Sequence, residues 1–148
     1  LCIGLALAGL ATQIMAVQVV GDRHAGRPAL ARLLARIRHL LQQHGVRTPA
    51  VASLLATVTI RSEFYGGEYA LATPAVHAAM AHFESATDAR SDSAYSGKAL
   101  ACLYADLQSR RGSAPCLYWH TFSANALPPG VSRAPRSAAP AALQRYWD

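Results

Sequence analysis

An α/β fold built on a parallel sheet is what the sequence predicts, and three stretches predict it. Residues 13–20 form a short apolar run, Gln13-Ile14-Met15-Ala16-Val17-Gln18-Val19-Val20, that stops at Gly21-Asp22; such a run marks a strand buried in a parallel sheet. Residues 28–44 repeat Leu30, Leu33, Leu34, Ile37, Leu40 and Leu41 at helical spacing, with Arg32, Arg36 and Arg38 among them. Residues 57–64 alternate and are rich in β-branched side chains, a second strand. Strand, helix and strand in that order belong to α/β organisation.

The elements follow in order. Residues 1–10 read as a helix of small residues, in which Gly4 and Gly9 suggest close approach to a neighbouring backbone, and 11–13 are its exit. The run opens at Leu1 with no cap, turn or charge before it, so the expectation is a chain that begins mid-element, a piece of a longer product. In the long helix Pro28 suits the first turn and Gly45 the C-terminal cap. A shorter helix is expected over 51–55. After the second strand comes the loop Tyr65-Gly66-Gly67-Glu68-Tyr69, where two glycines permit positive φ or close approach of a ligand. Thr73 as N-cap and Pro74 at the first helical position open a helix to about Glu84. Residues 84–93 are polar and irregular, 95–107 are helical, and 115–122 form a strand centred on Leu117, Tyr118 and Trp119. Residues 128–140, rich in Pro, Ser, Ala and Arg without a period, are expected to be a mobile tail.

Composition narrows the function. The 148 residues are 52% hydrophobic, enough for one ordinary core and unlike a disordered or disulfide-dense chain. The net charge of +6 comes from thirteen arginines and one lysine against eight carboxylates. The arginines run from Arg23 to Arg145 without clustering and with no nucleic-acid motif beside them, so a solvated basic surface is expected and a nucleic-acid partner is not. Cys2, Cys102 and Cys116 are odd in number and lack metal-ligand spacing; they read as reduced thiols, with Cys102 and Cys116 as small core hydrophobes. His39 and His44 sit near a helix end with no partner at metal spacing, hence no metal. Residues 1–20 carry no charge and are long enough for a membrane span. Thr12, Gln13 and Gln18 interrupt them and no basic n-region precedes them, so helix, turn and strand fit better than a membrane segment or signal peptide.

Several chemistries lose support at once. No G-x-S-x-G elbow accompanies the six histidines, which removes the usual context for Ser-His-Asp catalysis. Gly97-Lys98 ends like a phosphate loop, but Ala99 follows the lysine and the upstream glycine spacing fails. Glu63, Glu68, Asp88 and Asp92 are the few carboxylates near loops. Lys98, the single lysine, stands beside Tyr95 and Ser96 and invites a Schiff-base reading.

The ordered series around that lysine carries a resemblance. Gly66-Gly67-Glu68-Tyr69, the Thr73-Pro74 helix, then Asp92-Ser93-Ala94-Tyr95-Ser96-Gly97-Lys98-Ala99, then His120-Thr121 resemble the C-terminal half of pyridoxal-phosphate enzymes of the tryptophan synthase β superfamily, fold type II. Within it the chain looks most like the D-cysteine desulfhydrase and 1-aminocyclopropane-1-carboxylate deaminase group, with its G-x-G-Y-G loop, D-P-x-Y-[ST]-G-K-[AS] and H-[TL]-G-G. Here the loop lacks two of those glycines, Ser93 stands in place of the proline, and Phe122-Ser123 in place of Gly-Gly.

The resemblance implies a three-layer, parallel-sheet large domain truncated at its N-terminus, with residues 1–127 as its C-terminal half and 128–148 as the tail. It implies pyridoxal 5'-phosphate as cofactor, a small amino acid such as D-cysteine as substrate, α,β-elimination to a keto acid and ammonia, a cytoplasmic setting and a homodimer when complete. The Schiff-base lysine and the phosphate-binding glycine loop would both lie upstream of the matched residues, which takes that role from Lys98. Tyr95 would place a phenol beside the substrate, or else pack as an aromatic at a helix start. Ser96 or Thr121 would present a hydroxyl to the pyridine nitrogen, or else serve as a cap or strand-end hydroxyl. Gly66, Gly67 and Tyr69 would form the loop over the substrate, or else a plain turn. His120 reads as a structural histidine. A different class remains open beside this one: a non-catalytic basic α/β module, or pseudo-enzyme, that binds a partner or an anionic ligand.

Overall fold

The structure is a computed structural model that describes residues 1–109, 115–123, 136–138 and 140–144. The chain divides into two compact units, Leu1–Tyr69 and Ala70–Asp148. It is a mixed α/β protein whose one described sheet is a parallel pair.

In the first unit, α1 (Cys2–Leu7) is followed by β1 (Ile14–Val17), α2 (Asp22–Ala25), α3 (Arg27–Gln43), α4 (Val51–Ala56) and β2 (Val58–Arg61). The strands pair in parallel, Ile14 opposite Val58 through Val17 opposite Arg61, and the helices between them make the crossover that parallel pairing requires. Ile3, Leu34 and Leu54 are buried together from α1, α3 and α4, with Leu30, Leu41, Val51 and Leu55 against them. Each fully buried leucine contributes about 1.5–3 kcal/mol, so this cluster is what holds α1, α3 and α4 together. The end of α3 is a complete Schellman turn: Gly45 has φ +76°, its amide donates to Gln42 O, and Val46 N donates to Leu41 O.

Both strands are shorter than the apolar runs that announced them. β1 ends because Gln18, whose amide still continues the ladder to Arg61 O, folds its side-chain amide onto Val20 O and Asp22 Oδ1 and turns the chain. β2 ends where Tyr65 N bonds Ser62 O and closes a turn. α1 is likewise cut short, by Gly9 at φ +70°. Neither Gly4 nor Gly9 lies against a neighbouring backbone, contrary to expectation, since a Cβ at either would meet nothing within 4 Å.

The second unit is led by α5 (Pro74–Thr87) and α6 (Ser96–Ser109), which pack on each other. Thr73 caps α5 as expected, its hydroxyl oxygen accepting from Val76 N. The helix runs past Glu84 and stops at Asp88, which adopts the left-handed conformation at φ 57°. Val76, Ala79, Leu100, Ala101 and Cys102 are its buried apolar residues.

Residues 115–123 are not a strand, although 115–122 were expected to form one. Their side chains do alternate: Tyr118 and His120 stack on each other and meet Phe83 edge-on, while Leu117 and Trp119 are 82% and 64% exposed. A strand also needs a neighbour to complete its ladder, and among the described residues only β1 and β2 form one. Cys116 is therefore exposed instead of a core residue, whereas Cys102 is buried as expected. Most of the expected tail lies outside the described residues, but within it Arg136–Ala138 form a 3-10 turn and α7 (Ala141–Gln144) a helical turn. No helix among the described residues is long and apolar enough to cross a membrane.

Candidate functional site

The start of α6 is the most tightly organised polar feature of the second unit. Asp92 supplies both carboxylate oxygens to it: Oδ1 accepts from Tyr95 N at 2.6 Å, and Oδ2 accepts from Ser96 N at 3.0 Å and from the Ser96 hydroxyl. The serine answers, because its Oγ accepts from the Asp92 amide at 2.7 Å. This is a reciprocal cap of the capping-box kind, in which side chains satisfy helix-start amides that have no intrahelical partner. Gly97 N donates to Asp92 O at 2.7 Å and closes the turn from the other side.

The position of Gly97 admits no side chain. A Cβ built there would lie 2.7 Å from Met80 Sδ and 2.8 Å from Asp92 O, well inside contact distance, so the glycine of Tyr-Ser-Gly-Lys is required by close packing of α6 on α5.

Electrostatics follow from this geometry. Burial alone would raise the Asp92 pKa, but the hydrogen bonds from the Ser96 hydroxyl and from the amides of Ser96, Tyr95 and Ala94 outweigh it and hold the carboxyl below its ordinary value. Tyr118 donates its phenolic hydrogen to Ser96 O at 3.1 Å, with His120 Nδ1 at 3.3 Å. Burial, then the negative charge of Asp92, push the Tyr118 pKa up to about 12. Lys98 is 0% exposed, and desolvation lowers its pKa.

The residues expected at a site are therefore distributed as follows. Tyr95 is 50% exposed on a turn whose backbone is fixed. The hydroxyl of Ser96 is committed to the half-buried Asp92, and the serine itself is buried. Thr121 is exposed on the segment that Tyr118 ties to α6. Gly66 and Gly67 have φ +79° and +88°, a backbone that side-chain-bearing residues rarely adopt, and the exposed Tyr69 follows them. That loop belongs to the first unit and the Tyr95 turn to the second.

A second polar feature lies in the first unit, where β1 and β2 end side by side. The carboxyl ends of parallel strands are where open α/β sheets bind ligands. Gln18 is buried there with its Oε1 unbonded among the described residues, and Gly21 from the turn after β1 faces the Tyr65 hydroxyl from the turn after β2. Sequence reasoning passed over Gln18 as an interruption, and over Asp92 and Tyr118 as a motif flank and a strand residue. An amide side chain in an otherwise apolar strand was the signal for the first, and an Asp four residues before a Ser at a helix start was the signal for the second. No group of three or more metal-ligating side chains occurs among the described residues.

No protein-family model matches the chain, and neither a curated protein nor a solved structure matches it.

Proposed function

We propose that this chain supplies the later part of the large domain of a pyridoxal-phosphate-dependent lyase or deaminase of fold type II. The substrate is a small amino acid such as D-cysteine, converted by α,β-elimination to a keto acid and ammonia. The observation that carries the reading is the locked turn at residues 92–98, where a fixed backbone holds the half-exposed Tyr95 and Gly97 is demanded by packing. Catalytic side chains need such support from rigid elements. The parallel crossover unit of residues 14–61 supports the coarser part of the reading.

Bound pyridoxal phosphate would supply the electron sink for breaking the Cα–H bond. Of the residues in this chain, Tyr95 is the group to orient the substrate or carry a proton at it, through its phenolic oxygen. Because the Ser96 hydroxyl is engaged by Asp92, Thr121 is the hydroxyl left to face the pyridine nitrogen. Gly66 and Gly67 give the substrate loop a shape that other residues would strain. Lys98 is fully buried, so the cofactor's amine would come from the residues that precede this stretch in enzymes of the class.

The test is made on the full-length gene product. It is expected to take up pyridoxal phosphate with a visible absorbance and to release keto acid from D-cysteine; Tyr95→Phe lowers kcat about 10²–10⁴-fold with the absorbance unchanged, and Lys98→Arg preserves it. A product that neither binds the cofactor nor turns over a D-amino acid overturns the proposal. The alternative, a basic binding module, draws on the seven arginines that face three carboxylates within residues 1–69.

A further inference from the structure

The long crossover helix α3 has a second apolar stripe that the core does not use. Leu34, with Leu30 and Leu41, faces the buried cluster. Leu33, Ile37 and Leu40, at i, i+4 and i+7, are 52%, 37% and 54% exposed. On a helix of 3.6 residues per turn these three lie within about 60° of arc, so they form one continuous strip and not scattered surface leucines.

One edge of this strip runs into the buried face; the other is cationic. Arg32 and Arg36, one turn apart, are exposed along it and have no carboxylate partner among the described residues. The helix contains no Asp or Glu. In the rest of the first unit Glu63 is paired with Arg61, Asp22 is bonded by Gln18, and Glu68 is likewise engaged.

We infer that this face of α3 docks an acidic amphipathic helix of a partner protein, one that lays leucine- or isoleucine-type side chains on Leu33, Ile37 and Leu40 and sets Asp or Glu against Arg32 and Arg36. Helix faces with anchors at this spacing are a recurrent mode of recognition, and complementary charge at the rim chooses the partner. A nucleic acid would use the arginines and leave the three apolar side chains against its phosphates. A membrane-surface helix carries cations along its whole polar face, whereas here Arg38 is bonded to Thr48 and Arg32 and Arg36 edge a single side of the strip. Two copies packed antiparallel through it would bring their arginine rows together. The inference concerns a different surface from the Tyr95 turn and holds whether or not the enzyme reading does.

The experiment measures binding of the full chain to a synthetic helical peptide with leucines at i, i+4 and i+7 flanked by glutamates, beside an analogue with glutamine flanks. The acidic peptide is expected to bind. Its affinity falls about tenfold or more in Arg32→Gln/Arg36→Gln and by a similar factor in Leu33→Gln/Leu40→Gln, both of which keep the parental circular dichroism because the residues are exposed. Binding of the glutamine peptide with equal affinity overturns the charge assignment. An unchanged affinity in Leu33→Gln/Leu40→Gln shows attraction by net charge alone and overturns the docking face. Concentration-dependent dimers abolished by Leu33→Gln/Leu40→Gln, or co-sedimentation with phosphatidylserine vesicles lost in the same variant, would give the face to a second copy or to a lipid surface and overturn the proposal as well.

Discussion

Replacing Gly97 with alanine puts the packing argument at its sharpest, because two effects of opposite sign meet at one carbon. Alanine is the better helix former, and in an open helix the change would stabilise by roughly 0.5–1 kcal/mol. Here the new methyl would sit 2.7 Å from Met80 Sδ and 2.8 Å from the backbone oxygen of Asp92. The thioether can swing aside, since methionine is the most adaptable of core side chains; the Asp92 carbonyl cannot move without loosening the cap on Tyr95 and Ser96. Overpacking of this kind costs about 1–3 kcal/mol; contacts under 3.0 Å with two residues, one of them through backbone, put it at about 2–3 kcal/mol, so the net expectation is destabilisation of about 1–2.5 kcal/mol after subtracting the helix gain. Urea unfolding followed by circular dichroism measures it. In the background Met80→Ala the part due to the sulfur disappears and the part due to Asp92 O remains, so the cycle separates the two neighbours. A Gly97→Ala protein as stable as the parent, or more so, would refute the close approach of α6 to α5 at this point.

Other expectations follow from the same turn and from the first unit's core. The Asp92 carboxyl has a folded pKa below its unfolded one, so the stability it contributes is present above the unfolded value and is lost as pH falls through the folded value; Asp92→Asn should flatten that acid limb of a stability-versus-pH curve, and an unaltered limb would contradict the cap. Lys98 is depressed by burial, so the unfolded chain binds more protons than the folded one and stability rises as pH climbs from the folded value toward the unfolded one; Lys98→Met should remove this alkaline rise, measured by thermal unfolding across the range. Leu54, 2% exposed between Ile3 and Leu34, should cost about 2–5 kcal/mol on truncation to alanine, with the loss seen as a lower urea midpoint at unchanged m.

What could be read from the sequence was what is local. The stop of α3 at Gly45 and the start of α5 at Thr73-Pro74 depend on a few neighbouring residues, and both stand where those residues put them. The strand ends were misjudged because they depend on side chains that turn back on the chain: an apolar run gives no sign that Gln18 will bond Val20 O and end β1. Residues 115–122 show the same division. Leu117, Tyr118 and Trp119 read as the centre of a strand and the side chains do alternate, but a ladder depends on a distant neighbour that no local pattern contains. The site divides likewise. Tyr95, Ser96 and Gly97 stood out as a motif at the start of a helix, and α6 does begin there, yet whether the Ser96 hydroxyl is free depends on the conformation of Asp92, and that contact takes the hydroxyl away from any ligand.

The burial of Lys98 reaches beyond stability into reactivity. It is the chain's single lysine, and in the folded state no part of it is exposed. Acetyl, methyl and ubiquitin transfer, and every laboratory reagent aimed at an ε-amine, find no side-chain target on the native surface. Only molecules that have opened α6 present the amine. Acylation at this one position is therefore a measure of how often the second unit comes apart.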